Sequence, residues 1–210
     1  VAWTNRASGE IKFRTSRNGG QSFKPARSLG KTKVSIDCND KVTDGLVGIA
    51  ANDKSVHVAW SHAGSRKCYA DDIRIRTSLD RGNSWSPVRV VTQRDSFGWP
   101  ELDARGKTVI ATVQSVEGEI IVSRSEKNGR KWGVKVFAPP AGHIFSAADV
   151  ALLPKKRVVL TYVKERLKYG KLHSTRLVAR RCPDDGASWN PTKPVADEGK
   201  RLRLAATVSP

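Results

Sequence analysis

The sequence contains no methionine, only three cysteines, and 20 acidic residues against 38 basic ones. Because translation starts at methionine, we expect Val1 to follow a processing site or to lie inside a longer chain. The first residues lack the basic and apolar regions of a signal peptide. No apolar run approaches the ~18 residues that a membrane-spanning helix needs. A transmembrane protein is therefore not expected.

Several chemical motifs are also missing. The four histidines and three cysteines show no paired spacing of the kind that binds a metal. There is no Gly-x-Ser-x-Gly turn, phosphate-binding loop or dinucleotide fingerprint. We therefore expect no metal and no cofactor. The apolar content of 38% without heptads excludes a disordered chain and a coiled coil.

The formal net charge of +18 is spread along the whole chain and is densest from Lys155 to Arg181. A folded surface with this potential attracts anionic partners such as anionic glycan, cell-wall polymer, acidic lipid or nucleic acid. The alternative is a charged surface that serves only solubility. Charge therefore predicts the sign of a partner and not its identity.

An eight-residue motif, called the box below, occurs four times. Its clearest copy runs from Ser78 to Trp85 as Ser-Leu-Asp-Arg-Gly-Asn-Ser-Trp. An Asp or Asn at the third position can accept backbone N–H groups, Gly at the fifth allows a positive φ, and the eighth residue is an aromatic that can pack beneath the turn. The box is thus a structural turn. Its predicted structural residues are Ser16, Asn18, Gly20 and Phe23; Ser78, Asp80, Gly82 and Trp85; Ser125, Gly129 and Trp132; and Asp184, Gly186 and Trp189, with Cys182 at the first position of the fourth copy.

Short alternating segments surround every box. One strand precedes the box and one follows it, as in Ile73 to Thr77 and Val88 to Val91. Two further strands lie upstream, so each unit reads as strand A, strand B, strand C, box and strand D. No helix is predicted anywhere. Box spacings of roughly 50 to 60 residues match a repeated four-stranded sheet.

The four boxes resemble the Asp-box, or BNR, repeats of sialidase-like β-propellers, over essentially all of the chain. The resemblance implies an all-β propeller of four-stranded antiparallel blades. It also implies that each box joins strands C and D on the face opposite the ligand site. The boxes are therefore not expected to be catalytic.

The strands divide into four blades within one domain. The predicted bounds are 1–30 plus the C-terminal strand 201–208 for blade 1, 46–92 for blade 2, 100–138 for blade 3 and 148–196 for blade 4. Blade 1 lacks a strand A at its own start, and 201–208 has the alternation of one. Pairing of the two would close a four-bladed ring without an exposed edge. The alternative is a segment of a larger ring, since sialidase-like propellers have six blades.

Loop lengths indicate where a ligand would bind. The B–C loops of blades 2 and 4 are predicted to be long, and B–C and D–A loops emerge on the face away from the boxes. Aromatic rings stack on sugars, and arginine grips carboxylates. The candidate ligand residues on this face are His62, Arg66, Lys67, Tyr69, Arg94, Trp99, Glu101, His143, Arg166, Tyr169, Lys171 and His173.

The resemblance to sialidases also raises the question of catalysis. It implies three arginines on the substrate carboxylate, a tyrosine nucleophile with a glutamate, and an aspartate as acid and base. The Arg-Ile-Pro segment of that family is absent. A pair could be made from Tyr69 or Tyr169 with Glu101 or Glu165, but the spacing selects none, so no catalytic residue is assigned. Glu101 and Asp149 are predicted to share one register at the start of strand A.

We therefore expect a secreted or cell-surface module that binds an anionic or carbohydrate partner without catalysis. The alternatives are a sialidase-like glycoside hydrolase and a polyanion-binding or nucleic-acid-binding protein. The oligomeric state is left open.

The predicted topology places the three cysteines on two different faces of the propeller. Cys38 lies in the D–A crossing before blade 2 and Cys68 in the B–C loop of that blade, so both fall on the loop face and could form a disulfide. Cys182 lies in a box on the other face and is predicted to be a free, partly buried thiol. The alternative is three unpaired cysteines in a reducing compartment.

Overall fold

A computed structural model describes residues 1–5, 7–33, 47–64, 69–184 and 186–197, without the side chains of residues 97, 99, 196 and 197. The described residues form fifteen strands and no helix. Blade 1 contains β1 (Ala2–Thr4), β2 (Glu10–Phe13) and β3 (Arg27–Lys31). Blade 2 contains β4 (Val47–Asn52), β5 (Ser55–His62), β6 (Asp72–Ser78) and β7 (Arg89–Thr92). Blade 3 contains β8 (Ser96–Arg105), β9 (Thr108–Ser115), β10 (Ile120–Ser125) and β11 (Gly133–Phe137). Blade 4 contains β12 (His143–Leu153), β13 (Arg157–Lys168), β14 (Lys171–Cys182) and β15 (Lys193–Asp197).

Each sheet is an antiparallel meander in which neighbouring strands follow one another along the chain. The first strand of each complete blade contacts its counterpart in the next blade, β4 with β8 and β8 with β12. The chain is therefore an all-β propeller with four blades, as the sequence predicts. Blade 1 shows three strands, and the segment predicted to supply its strand A, 201–208, lies outside the described residues.

The hydrophobic cores lie between consecutive blades. Between blades 1 and 2, Ile11, Phe13 and Leu29 pack against Val58 and Trp60. Blades 2 and 3 share a second apolar cluster, and blades 3 and 4 a third. Strands β5 and β9 are buried along nearly their whole length, so both faces of blades 2 and 3 contribute to a core. The seams between blades are therefore the main source of hydrophobic stabilisation.

Strand register is repeated from blade to blade. The first box residues Ser78 and Ser125 pair with Val56 and Val109 of the preceding strand. Cys182 pairs in the same way with Val158. The equal offsets agree with the unit of strands B, C and box that the sequence predicts.

Hydrogen bonds close the box from within. In the second box the Ser78 hydroxyl donates to Asp80 Oδ1 over 2.7 Å, and the Gly82 amide donates to Ser78 Oγ over 2.7 Å. The Ser84 amide donates to Asp80 Oδ1 over 2.8 Å. The hydrogen bonds from Ser84, followed by that from Ser78, hold the pKa of Asp80 well below its ordinary value. The same pattern recurs with Asn18 in the first box and Asp184 in the fourth.

The box glycines of blades 2, 3 and 4 pack closely against the blade before them. Gly82 has φ +85°, and a Cβ there would lie 2.7 Å from the ring of Phe13 in blade 1. A Cβ on Gly129 would meet Thr77 of blade 2, and one on Gly186 would meet Ile110 of blade 3. Glycine is needed here both for the positive φ and for the close approach of the next blade.

The prediction of a long B–C loop in blade 4 is wrong. Strands β13 and β14 continue to Lys168 and Lys171, and only Tyr169 and Gly170 connect them. Both connecting residues have positive φ, +52° and +71°, which defines a type I′ turn. The extra length is therefore an extended hairpin. The two strands stay paired to the turn, with one irregularity in register between Arg166 and Leu167, although many of their residues are charged.

The cysteine predictions are resolved only in part. Cys182 is a buried free thiol, as predicted. Both Cys38 and Cys68 lie outside the described residues, so their disulfide stays a prediction.

Candidate functional site

The face opposite the boxes, called the loop face, carries the B–C connections and the crossings from strand D to the next strand A. Backbone hydrogen bonds join neighbouring blades along it. They run from the Ala70 amide to the Ser96 carbonyl over 2.9 Å, from Val116 to Asp95 over 3.2 Å and from Phe145 to Gly118 over 2.7 Å. The ends of blades 2, 3 and 4 therefore form one connected surface.

A charged cluster lies at the loop end of blade 2. His62 ends β5, and its Nδ1 is 3.4 Å from Asp72 Oδ1. The Arg74 guanidinium binds both oxygens of Asp72 over 3.0 and 3.3 Å. Burial lowers the pKa of His62, and the negative charge of Asp72 only partly opposes this. His62 is therefore a largely buried neutral ring beside a carboxylate that Arg74 already neutralises.

The rest of the predicted blade 2 set is less complete. Tyr69 is half-buried and precedes the strand contact between Ala70 and Ser96. The cationic residues Arg66 and Lys67 lie outside the described residues. Their role in ligand binding stays a prediction.

Blade 3 contributes an ion pair. Arg94, in the crossing after β7, places Nη1 3.2 Å from Glu119 Oε2. Trp99 lies within β8, and its side chain is among those not described. Arg94 is thus already engaged by a carboxylate of the same face.

Glu101 and Asp149 do share one register. Glu101 of β8 pairs with Thr112, and Asp149 of β12 pairs with Thr161, two threonines that are themselves equivalent in their strands. Both carboxylates are half-buried. The shared register is thus as predicted, but the predicted place at the start of strand A is wrong, because β8 begins at Ser96 and β12 at His143 and both acids lie in mid-strand.

The most strongly cationic part of the loop face is the extended end of blade 4, called the arm (143–146, 163–168 and 171–176). His143 of β12 stands opposite Arg166 of β13, and Lys168 stands opposite Lys171. Tyr169 at the tip is 92% exposed, with the Lys168 ammonium 5.6 Å from its ring centre. The arm therefore presents an exposed aromatic ring among cations.

The arm holds five of the twelve predicted ligand residues. They are His143, Arg166, Tyr169, Lys171 and His173. His143 is half-buried, with its Nδ1 3.1 Å from the Ala141 carbonyl oxygen, whereas the other four are exposed. The arm is the largest group of candidates that the structure brings together.

Sequence reasoning missed three polar partners on this face: Arg74, Glu119 and Ser146. The Asp72-x-Arg74 spacing places both side chains on one face of a strand, so that pair could have been found. Glu119 meets Arg94 only through the packing of two loops, which no local pattern reveals.

Glu165 does not act on Tyr169. Its carboxylate accepts a hydrogen bond from the Ser146 hydroxyl. Tyr169 projects at the tip of the arm, and its nearest described partner is Lys168. A tyrosine nucleophile needs a base within hydrogen-bond reach. The described arrangement of these two residues does not provide that pair.

Two further features concern the described residues alone. No group of three or more His, Cys, Asp or Glu side chains within them could hold a metal ion. None of the described segments forms a helix long and apolar enough to cross a bilayer.

Comparisons with known proteins bear on the fold. No family model matches the sequence, and no curated protein matches it. An α-L-arabinanase of Penicillium chrysogenum, solved with arabinobiose, superposes with a TM-score of 0.59 at 14% identity over 92% of this chain and 62% of the enzyme. A second similar structure is a polysaccharide lyase of family PL25, an ulvan lyase bound to -[GlcA(1-4)Rha3S]-. It superposes with a TM-score of 0.62 at 10% identity over 90% of this chain and 50% of the lyase.

A sialidase is also similar. The NanB sialidase of Streptococcus pneumoniae, as its K499G mutant, gives a TM-score of 0.52 at 17% identity over 82% of this chain and 27% of the sialidase. The chain therefore spans less than two thirds of each of these proteins. At such low identities the likeness establishes the β-propeller fold.

Proposed function

We propose that this chain is an Asp-box propeller that binds an anionic glycan on its loop face, outside the cell, without cleaving it. The observation that carries the proposal is the arm of blade 4. Near its tip it presents the exposed cations Arg166, Lys168 and Lys171, and the Lys168 ammonium lies 5.6 Å from the centre of the exposed Tyr169 ring. A ring flanked by cations suits a sugar that bears a carboxylate or a sulfate.

The arrangement of charge in the arm supports a ligand. Lys168 stands directly opposite Lys171 beside the turn. Like charges placed directly opposite one another destabilise a strand pair. A sequence that departs from local stability in this way commonly does so at a functional site. An anion bound across the arm would relieve this repulsion.

Three similar structures also support a glycan. They are an arabinanase solved with arabinobiose, a sialidase, and a lyase bound to a glucuronate-containing sulfated repeat. Two of these three concern acidic sugars, which agrees with the net charge of +18 here. The absence of cleavage is proposed because Glu165 bonds to Ser146 and because the sialidase Arg-Ile-Pro segment is missing.

A matched pair of triple variants tests the site. The arm variant carries Arg166→Ser, Lys168→Ser and Lys171→Ser; the control carries Arg17→Ser, Lys54→Ser and Arg81→Asn on the box face. Each removes three positive charges. Titration with the GlcA-Rha3S disaccharide should give an affinity at least ~10-fold lower for the arm variant and a nearly unchanged one for the control. Equal losses would mean that diffuse charge does the binding.

Catalysis is tested separately. The unmodified chain is incubated with a fluorogenic sialoside, and we expect no release of the fluorophore. Release that survives repurification would instead favour the glycosidase alternative. Binding of DNA that is as tight as that of the acidic disaccharide, and as sensitive to the arm variant, would favour the polyanion alternative.

A further inference from the structure

The seam between blades 3 and 4 opens on the box face into a cleft of about 520 Å³. Four basic side chains line it, Arg124, Lys127, Lys131 and Lys135, together with the half-buried indole of Trp132. Glu126 is the one carboxylate among the described lining residues, and it pairs with Arg124. The cleft therefore keeps three lysines whose charge no described residue neutralises.

Two of these lysines replace the hydrogen-bonding residues of the box. The third and seventh box positions are Asp80 and Ser84 in blade 2, where the serine amide and hydroxyl donate to the carboxylate over 2.8 and 2.6 Å. In blade 3 the same positions are Lys127 and Lys131. The third box therefore lacks the two hydrogen bonds between its third and seventh positions. It retains the hydrogen bond from the Gly129 amide to Ser125 Oγ, which is 3.0 Å long.

Lys135 lies at the same seam and differs from the arginines at its register position in blades 1 and 2, although blade 4 also has a lysine there, Lys193. In each of blades 1, 2 and 3, one residue of the last strand pairs with the residue that lies three positions before the box of that blade. These equivalent residues are Arg27, Arg89 and Lys135. Both arginines donate a hydrogen bond to the box carbonyl of the next blade, Arg27 to Asn83 and Arg89 to Arg130. Lys135 makes no hydrogen bond within the described part of the chain, and its ammonium is left for the cleft.

The neighbouring seam shows what the repeat does without these changes. Between blades 2 and 3 a cleft of about 400 Å³ is lined by Trp85, Arg89 and Arg130. In this seam Arg89 donates a hydrogen bond to the next blade, and a hydrogen bond to Asp80 closes the turn of the box. The two box lysines and the unbonded Lys135 therefore coincide in one seam and one cleft. Breaks in an otherwise consistent local pattern mark functional sites.

We infer that this cleft is a second ligand site, which binds a sulfate or phosphate ester carried on a sugar ring. Lysine is a compact point charge with three donors and suits a tetrahedral oxyanion, whereas the flat carboxylate is better matched by an arginine fork. The one arginine of the cleft, Arg124, is occupied by Glu126. The walls formed by Trp132 and Val134 give the sugar ring an apolar surface.

Restoring the box sequence tests the inference without damaging the fold. The variant Lys127→Asp with Lys131→Ser rebuilds the third box on the pattern of Asp80 and Ser84. We expect its unfolding temperature to be unchanged or higher, because the closing hydrogen bonds return. Its affinity for glucose 6-sulfate and glucose 6-phosphate, measured by calorimetry, should fall at least ~10-fold.

A matched control carries the same change of charge elsewhere on the box face. Lys155→Asp with Lys54→Ser alters two exposed turn residues and should bind as the parent chain does. A second variant, Lys135→Gln, changes one exposed residue of a strand. It should also weaken binding of the two sugar esters. Unmodified glucose should not bind measurably.

The probes distinguish the source of the anion. Preference for the sulfate ester assigns a sulfated saccharide, and preference for the phosphate ester a phosphorylated one. Equal affinity for inorganic sulfate would overturn the assignment of a sugar to the Trp132 wall. The site itself is refuted if neither ester binds the parent chain, if the rebuilt box binds them unchanged, or if the control loses as much.

Discussion

The first box position is serine in three boxes and cysteine in one. Both side chains accept the same hydrogen bond from the amide of the box glycine. The Gly82 amide donates to Ser78 Oγ, and the Gly186 amide donates to Cys182 Sγ. Burial, followed by the hydrogen bond to Asp184, raises the pKa of the Cys182 thiol, so it stays protonated and can donate to that carboxylate. A thiol can therefore replace a hydroxyl here while the turn is kept.

His57 is the clearest titrating residue in a seam. It is 0% exposed, and its Nδ1 lies 3.0 Å from Thr77 Oγ1. Burial lowers the pKa of His57 to about 4, below the value near 6.5 of an unfolded chain. The neutral ring therefore stabilises the fold fully above pH ~6.5.

We expect the free energy of unfolding to fall by up to roughly 3 kcal/mol as the pH is lowered from about 6.5 to 4, because the unfolded chain binds the proton more tightly. Urea denaturation at several pH values measures the slope. His57→Gln removes the titrating ring and should flatten the curve in this window. An equal slope in the variant would assign the pH dependence to other groups.

At the level of elements, the turn of the arm departs from the usual sequence of its type. A type I′ turn needs positive φ at both central residues and favours Asn-Gly, whereas this chain has Tyr169-Gly170. Tyrosine in the left-handed region is strained. The 92% exposed ring thus occupies a position where asparagine would be more stable.

We therefore expect Tyr169→Asn to raise the free energy of unfolding by roughly 0.5 kcal/mol, since the turn strain is relieved. The same change should weaken binding of the GlcA-Rha3S disaccharide, because the aromatic surface is lost. Gly170→Ala is the control: it should destabilise the turn by about 1 kcal/mol and leave the ring in place. A tyrosine that stabilised the turn would give the opposite sign.

The repeating part of the fold could be predicted from the sequence, because its signals are local. The box from Ser78 to Trp85 contains its own hydrogen-bond partners, and the strands beside it alternate. For the arm the sequence predicts a loop, because its residues are rich in charge and meet water on much of their surface. The cluster of His62, Asp72 and Arg74 and the cleft lined by Lys135 depend on which blades meet, and spacing along the chain carries little of that information.

For the whole molecule, the open question is how blade 1 obtains its strand A. It has three described strands where the other blades have four. Phe23 in its box is 43% exposed, whereas Trp85, Trp132 and Trp189 are half-buried against the preceding blade. We propose that 201–208 pairs with β1 and completes this blade.

Deleting the last ten residues should then lower the unfolding temperature and cause aggregation through the exposed edge of β1. Two substitutions refine the measurement. Leu202→Ser with Leu204→Ser changes one face of the proposed strand and should be destabilising, whereas Arg201→Ser with Arg203→Ser changes the other and should not be. A truncated chain with unchanged melting and monomer mass would show that this segment does not complete blade 1.

The contact between each box glycine and the preceding blade has a consequence for how such a protein can evolve. Gly82, Gly129 and Gly186 meet the preceding blade in the same way, so each of these three units carries its own contact to its neighbour. A gene duplication that copies one unit also copies the glycine that contacts the preceding blade. The new unit can therefore pack against its neighbour without further mutation. Selection can then act on the copies one at a time. The third box has kept its glycine and its tryptophan while two of its other positions have changed to lysine.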